Sequence, residues 1–273
     1  MAGHETASDA IGRFFADCGV TARLAEEPVN HFAAPPVVLT APPKLTAPAL
    51  SPDAPEPPPF DDEPVPEVID ARQTARSATT LADLHAALKA FDGCPLKFTA
   101  KQTCPGEGPI RAPLMFVGEA PGRDEDEAGR PFVGRSGKLL EKMLAAIGFA
   151  REDVYISNVI PWRPPGNRTP SPIETATCEV FVRREIDLVA PKILVPLGGP
   201  AAKTLLATQT GIMRQRGIWA RYAGSGDGGH TCDALAMFHP AYLLRTPAEK
   251  RKTWHDLQAV RARLEAEHGL PPA

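Results

Sequence analysis

A chain of 273 residues with 31 prolines and 43% hydrophobic residues has room for one large domain or two small ones. It contains no apolar run that could span a membrane and no basic stretch leading into an apolar N-terminal core. Its five cysteines are odd in number and scattered, so a membrane protein, a secreted protein and a disulfide scaffold are excluded in favour of a reducing cytoplasm. Charge is uneven: residues 1–76 carry 5 Lys/Arg against 12 Asp/Glu, while the other 197 carry 25 against 21, a mild basic surplus compatible with a nucleic-acid partner.

In chain order, residues 1–33 form a short N-terminal segment with a predicted amphipathic helix over 8–18, where Ile11, Phe14, Phe15 and Cys18 share a face. Residues 34–76 read as a proline-rich, acidic, disordered linker, since 34–67 hold twelve prolines and cannot build a core. Residues 77–273 make the domain. A helix capped by Thr79 or Thr80 carries Leu81, Leu84, Leu88 and Phe91 and stops at Gly93. Strands follow at 114–117, 154–158, 193–197 and 234–238, alternating with helices at 136–148, 170–190, 200–207 and 247–267. That alternation predicts an α/β fold: a three-layer α/β/α sandwich around a central, mostly parallel four-stranded sheet. The run Gly224–Gly229 reads as a surface loop between edge strands.

The most informative stretch runs from Gly118-Glu119-Ala120-Pro121-Gly122 through the acidic 123–127 to Gly129-Arg130-Pro131-Phe132-Val133-Gly134. It leaves the carboxyl end of the first strand, where open α/β sheets bind ligands, and its glycines let backbone amides approach closely. Asn158 ends the second strand and His239 follows the last, so carboxylates, a carboxamide, an imidazole and the Phe132 ring converge on one edge. That set suits a planar heterocycle. The donor and acceptor of Asn158 match the O4/N3–H edge of uracil and mismatch cytosine. Taken singly, Asn158 and His239 are equally strand-end or core polar groups, Glu125 belongs to a solvated charge run, and Phe132 is core.

Together with Arg163-Pro164-Pro165-Gly166-Asn167-Arg168 and His239-Pro240-Ala241-Tyr242-Leu243-Leu244-Arg245, these segments resemble the uracil-DNA glycosylases, of the family-4 type, over roughly residues 80–265. The resemblance implies a monofunctional enzyme that flips deoxyuridine from single- or double-stranded DNA, hydrolyses its glycosidic bond and leaves an abasic site. By resemblance Phe132 stacks on the uracil, Asn158 reads its edge, Ala120 and its neighbours supply backbone amides, and His239 stabilises charge at O2. Glu119 positions water. Glu125 is a second catalytic carboxylate or crowds C5 against thymine. Leu243 wedges into the base stack, and Arg135, Ser136, Lys138 and Arg245 contact phosphates.

Family-4 enzymes hold an iron–sulfur cluster on four cysteines. Cys94 and Cys178 keep two of those positions, whereas Phe91 and Trp162 occupy the other two. Two thiolates do not hold such a cluster, even with Cys104 nearby, so no metal or cofactor is expected and the two rings are expected to fill its volume. Three rival readings stand beside this one. Gly129–Ser136 nearly spells a P-loop with Arg for Lys, the fold could serve abasic-site binding, and a glycosylase could take another base. Ile11, Phe14 and Phe15, with Ser8 in place of Gln, have the spacing of a sliding-clamp peptide; the competing reading is a helix folded on the core. The expected enzyme is a cytoplasmic monomer.

Overall fold

In the computed structural model, residues 66–224 and 228–269 are described. The candidate clamp residues Ile11, Phe14 and Phe15, and the linker up to residue 65, lie outside the described residues. The linker ends earlier than its composition suggests: α1 (Pro66–Ser77) buries Val68, Ala71 and Ala75. A helix hidden behind prolines and acids is anchored by three small apolar residues at helical spacing. Next, α2 (Leu81–Ala90) starts at Thr80, whose hydroxyl accepts from the Asp83 amide at 3.1 Å while the Asp83 carboxylate accepts from the Thr80 amide at 3.2 Å. This reciprocal cap satisfies two amides that the first turn leaves without partners.

Four short strands, β1 (Leu114–Gly118), β2 (Tyr155–Asn158), β3 (Ile193–Pro196) and β5 (Thr231–Leu235), form the parallel part of the sheet. The sheet has five strands, in the order β2-β1-β3-β5-β4, because β4 (Trp219–Ala223) adds an antiparallel edge to β5. This corrects the expected count of four. Of β4, Tyr222 alone is buried, so the strand shows no apolar run in the sequence. β5 also begins three residues earlier than expected. Residues 236–238 leave the sheet, keeping a single bridge between Met237 and Leu197, and deliver His239 to the carboxyl edge.

Successive residues of β1 face opposite layers, as the two-residue period of a strand demands. Met115 and Val117 join a core with Leu84, Leu88, Phe181 and Ile186, supplied by α2 and α5 (Pro172–Val189). Leu114 and Phe116 join another with Leu140, Met143, Leu257 and Val260, supplied by α4 (Arg135–Ala145) and α9 (Lys250–His268). Strand order reverses at β1, whose neighbours β2 and β3 leave a crevice at their carboxyl ends. Three short helices frame it: α3 (Arg123–Ala128), α7 (Ile212–Gln215) and α8 (Pro240–Arg245). α6 (Gly199–Leu206) follows β3 and closes one side. The acidic run that reads as a loop is therefore helical; Asp124, Glu125 and Asp126 sit in its first turn, where the helix dipole favours them.

Candidate active site

A cleft of about 720 Å³ opens at this edge, lined among others by Glu119, Ala120, Phe132, Asn158 and His239. Gly118 of β1 lies in register with Asn158 of β2. A side chain at Gly118 would fall 2.4 Å from Asn158 Oδ1 and 2.7 Å from the Phe132 ring, so glycine permits the carboxamide and the ring to meet there. Beyond the strands, the Gly118 and Glu119 carbonyls accept from the Val159 and Ile160 amides at 3.0 and 2.9 Å, pinning the catalytic loop to the segment after Asn158.

Asn158 is 5% exposed, and its Oδ1 has no hydrogen-bond partner. A buried acceptor left unpaired costs stability, and its persistence here points to a ligand donor. Phe132 is buried with φ at +52°, a left-handed backbone that an aromatic residue rarely adopts. It is held there by Arg151, which donates to the carbonyls of Phe132 (2.8 Å) and Pro131 and to the Glu107 carboxylate (2.9 Å). Glu107 also pairs with Arg130 at 2.8 Å. The sequence gives no local sign of this clamp, because its members lie 23 or more positions from Glu107.

His239 caps α8: its Nδ1 accepts from the Ala241 amide at 3.1 Å. In the neutral ring the proton therefore resides on Nε2, which is left as a donor. Burial, reinforced by the nearby Arg245 cation, lowers the His239 pKa to about 4, so the ring is neutral at physiological pH. Its ring centroid lies 5.5 Å from that of Phe132. Glu119, half-buried, is pushed above the usual carboxylate range by burial.

Glu125 departs from its expected part. Its Oε1 accepts from the Val133 and Gly134 amides at 3.0 and 2.9 Å, and its Oε2 from Gly122 at 3.1 Å. Both oxygens are occupied by backbone donors, so the group ties together the two loop segments that flank α3 rather than presenting a free catalytic carboxylate. Leu243 is also corrected. It is 1% exposed and packed in the core beneath α8, which removes it from the surface where a wedge must act. Arg135, Ser136 and Arg245 line the cleft; Lys138, though exposed, is not part of that lining. Absent from the expected set are Tyr242, Arg168 and Met213. Met213 is 57% exposed on the rim, on a four-residue helix without a sequence signature. Arg168 is held by a bidentate pair with Glu174 at 2.8 and 2.6 Å.

The residues at the positions of a cluster do not fit one. Cys94 and Cys178 are fully buried with their sulfurs 3.7 Å apart, in direct contact. Contact with Cys94 and burial push the Cys178 thiol well above its ordinary range, while contact with Cys178 lowers that of Cys94. Phe91 packs on Phe181, and Trp162, 1% exposed, donates its Nε1–H to Thr103 Oγ1 at 3.0 Å. Cys104 is engaged elsewhere, on the Glu125 carbonyl, and burial raises its pKa to about 12. Among the described residues no three His, Cys, Asp or Glu side chains are grouped to hold a metal.

A switch-point cleft with a stackable ring, a carboxamide edge and a neutral imidazole defines a protein that binds a planar base and works on it. The comparisons agree. The profile of the Uracil DNA glycosylase superfamily matches residues 105–258, and the chain belongs to that superfamily. It is 39% identical over 183 residues to a type-4 uracil-DNA glycosylase of Pyrobaculum aerophilum, covering 65% of this chain and 91% of that protein. Against the type-4 uracil-DNA glycosylase of Thermotoga maritima it is 37% identical, covering 66% and 92%. Against that of Archaeoglobus fulgidus it is 38% identical, covering 66% and 92%. The chain is a DNA glycosylase similar to the type-4 enzymes. Among the described residues no helix is long and apolar enough to cross a membrane.

Proposed function

We propose that this chain is a monofunctional uracil-DNA glycosylase that hydrolyses the N-glycosidic bond of flipped-out deoxyuridine in single- and double-stranded DNA. The observation that carries this reading is the buried, unpaired Asn158 Oδ1 beside the Phe132 and His239 rings. Oδ1 accepts from uracil N3–H, the carboxamide nitrogen donates to O4, and Phe132 stacks on the base. Cytosine has no N3–H to offer, so it leaves the orphan unpaired and is rejected. The Glu119 carboxylate orients a water and takes a proton from it as the water oxygen bonds to C1′. The N1–C1′ bond breaks, and its electron pair leaves on the uracil ring. His239, neutral, donates Nε2–H to the developing charge at O2, with the Ala120 amide as a second donor.

Glu125 shapes the loop that presents Phe132, and Met213 takes the exposed apolar position at the rim where a wedge is needed. Arg135, Ser136 and Arg245 hold the phosphates flanking the flipped nucleotide, with Lys138 contacting the strand further out. The chain acts without a metal cluster, a reading supported by the rings at two of the ligand positions. It acts in the cytoplasm, a location that suits a DNA substrate, and as a monomer.

The test is excision from a labelled uracil oligonucleotide followed by alkaline cleavage. Wild-type protein is expected to cut both strand forms, and Asn158→Ala and Glu119→Ala to lose nearly all activity. A wild type inert on both forms overturns the uracil assignment and redirects the search to other damaged bases or to binding alone.

A further inference from the structure

A second cleft, of about 540 Å³, lies between α1, α5, α6 and β4 and shares no lining residue with the catalytic one. Five arginines line it: Arg72 and Arg76 of α1, Arg183 and Arg184 of α5, and Arg221 of β4. A single acid, Glu179, joins them and is taken by Arg183 at 3.4 Å. Arg221 is matched by Asp233 at 3.1 Å. Among the described residues Arg184 makes no ion pair; its Nε and Nη2 donate to the Ala78 carbonyl at 3.1 and 2.8 Å. Arg72 and Arg76 are exposed, one helical turn apart, and make no ion pair among the described residues.

The exposed guanidinium groups of Arg72 and Arg76, with the charge of Arg184 beside them, form an anion site on this concave surface, and the planar fork of each exposed group suits a phosphate. The floor is apolar, built from Val180, Leu205 and Leu206, and suits the face of a sugar or a base. Its position narrows the choice. α5 is capped by Ser171, next to Pro170 in the catalytic cleft, and reaches Arg183 twelve residues after that cap, roughly 18 Å along the helix. We propose that this arginine cleft is a second phosphodiester-binding site that engages DNA away from the flipped nucleotide. It rests on DNA being the substrate. A long molecule can occupy both sites, whereas a short strand filling the catalytic cleft cannot.

The experiment compares full-length wild type with Arg72→Ala/Arg76→Ala, after matching their melting temperatures. Affinity for a long uracil-free duplex is measured at about 50 and about 200 mM salt, where each phosphate contact adds roughly −0.9 to the logarithmic slope. Loss of two contacts is expected to shrink the wild-type drop across that interval about tenfold. Arg72→Glu/Arg76→Glu is expected to deepen the loss of affinity. Excision from a short single-stranded uracil substrate is expected to be unchanged in both variants. That arm tests the catalytic reading separately. An unchanged slope and affinity for long duplex overturns the proposal. So does stabilisation of wild type alone by pyrophosphate with duplex binding unaffected, which assigns the cleft to a free anion. Competition by poly-glutamate but not by DNA also overturns it, in favour of an acidic protein partner.

Discussion

Asn158 and Trp162 stand four residues apart on the segment leaving β2, and they sit in opposite surroundings. At Asn158 the chain keeps glycine at 118, a left-handed backbone at Phe132 and an unpaired buried oxygen, and the cleft opens in front of them. At Trp162 the volume is filled: Phe91, Phe181 and Trp162 pack around two touching thiols, and the indole N–H has its acceptor in Thr103. The first region bears a buried acceptor without a protein partner, which a bound donor would satisfy. In the second, every group that the structure pairs or packs is complete without one. The contrast teaches how two stretches four residues apart differ: one leaves a buried acceptor facing a cleft, and the other packs its rings and thiols as ordinary core.

The sharpest way to break this contrast is Trp162→Ala. Removing a fully buried indole should cost about 3–5 kcal/mol by denaturant unfolding, with excision per folded molecule retained. A neutral effect on stability would show that the region is not core. Next in size, Asn158→Ala should lower kcat/KM on uracil by about 10²- to 10³-fold. Its melting temperature should hold or rise, since an orphaned acceptor is removed. A matching loss of stability would make Asn158 structural.

pH separates the two groups proposed to act in catalysis. Burial raises the Glu119 pKa, so an acid limb in kcat/KM should lie above the ordinary carboxylate value and vanish in Glu119→Gln. His239, lowered to about 4, contributes no limb near neutrality. Because folding favours its neutral form, the unfolded chain binds its proton first. Stability should therefore decline as pH falls from about 6.5 toward about 4, and His239→Gln should lose that part of the slope. Smallest of all, Cys94→Ala should cost about 1 kcal/mol and leave activity and the visible spectrum unaltered. Bleaching of a visible band by Cys94→Ala would reinstate a cluster.

Much of the fold was legible in the sequence because its strands are buried on both faces. Leu114–Val117 and Ile193–Leu197 are continuous apolar runs, and glycine-rich or polar residues follow them at the edge where ligands bind. β4 escaped because it is an edge strand with one fully buried residue. α1 and α3 escaped because proline and acid content, which argue against a core, do not argue against a helix that buries only one narrow stripe. Within the site, Gly118, Phe132, Asn158 and His239 were recognisable from residue type and place. Glu125 was misread because one carboxylate looks like another until its hydrogen-bond partners are known. Leu243 was misread because the position of a residue in a motif does not tell whether its side chain faces the cleft or the core.

The alternation of the main strands and helices, the residue types at the carboxyl ends of those strands and the missing thiols were determined by sequence alone. All depend on periodicity and chemical identity, which are local. Tertiary structure alone decided that Asn158 Oδ1 is unpaired, that His239 is neutral with its proton on Nε2, and that Glu125 is consumed by backbone amides. It also gathered five arginines from three distant elements. Each of these depends on which groups exclude water around one another, a property that arises only when segments far apart in the chain are packed together.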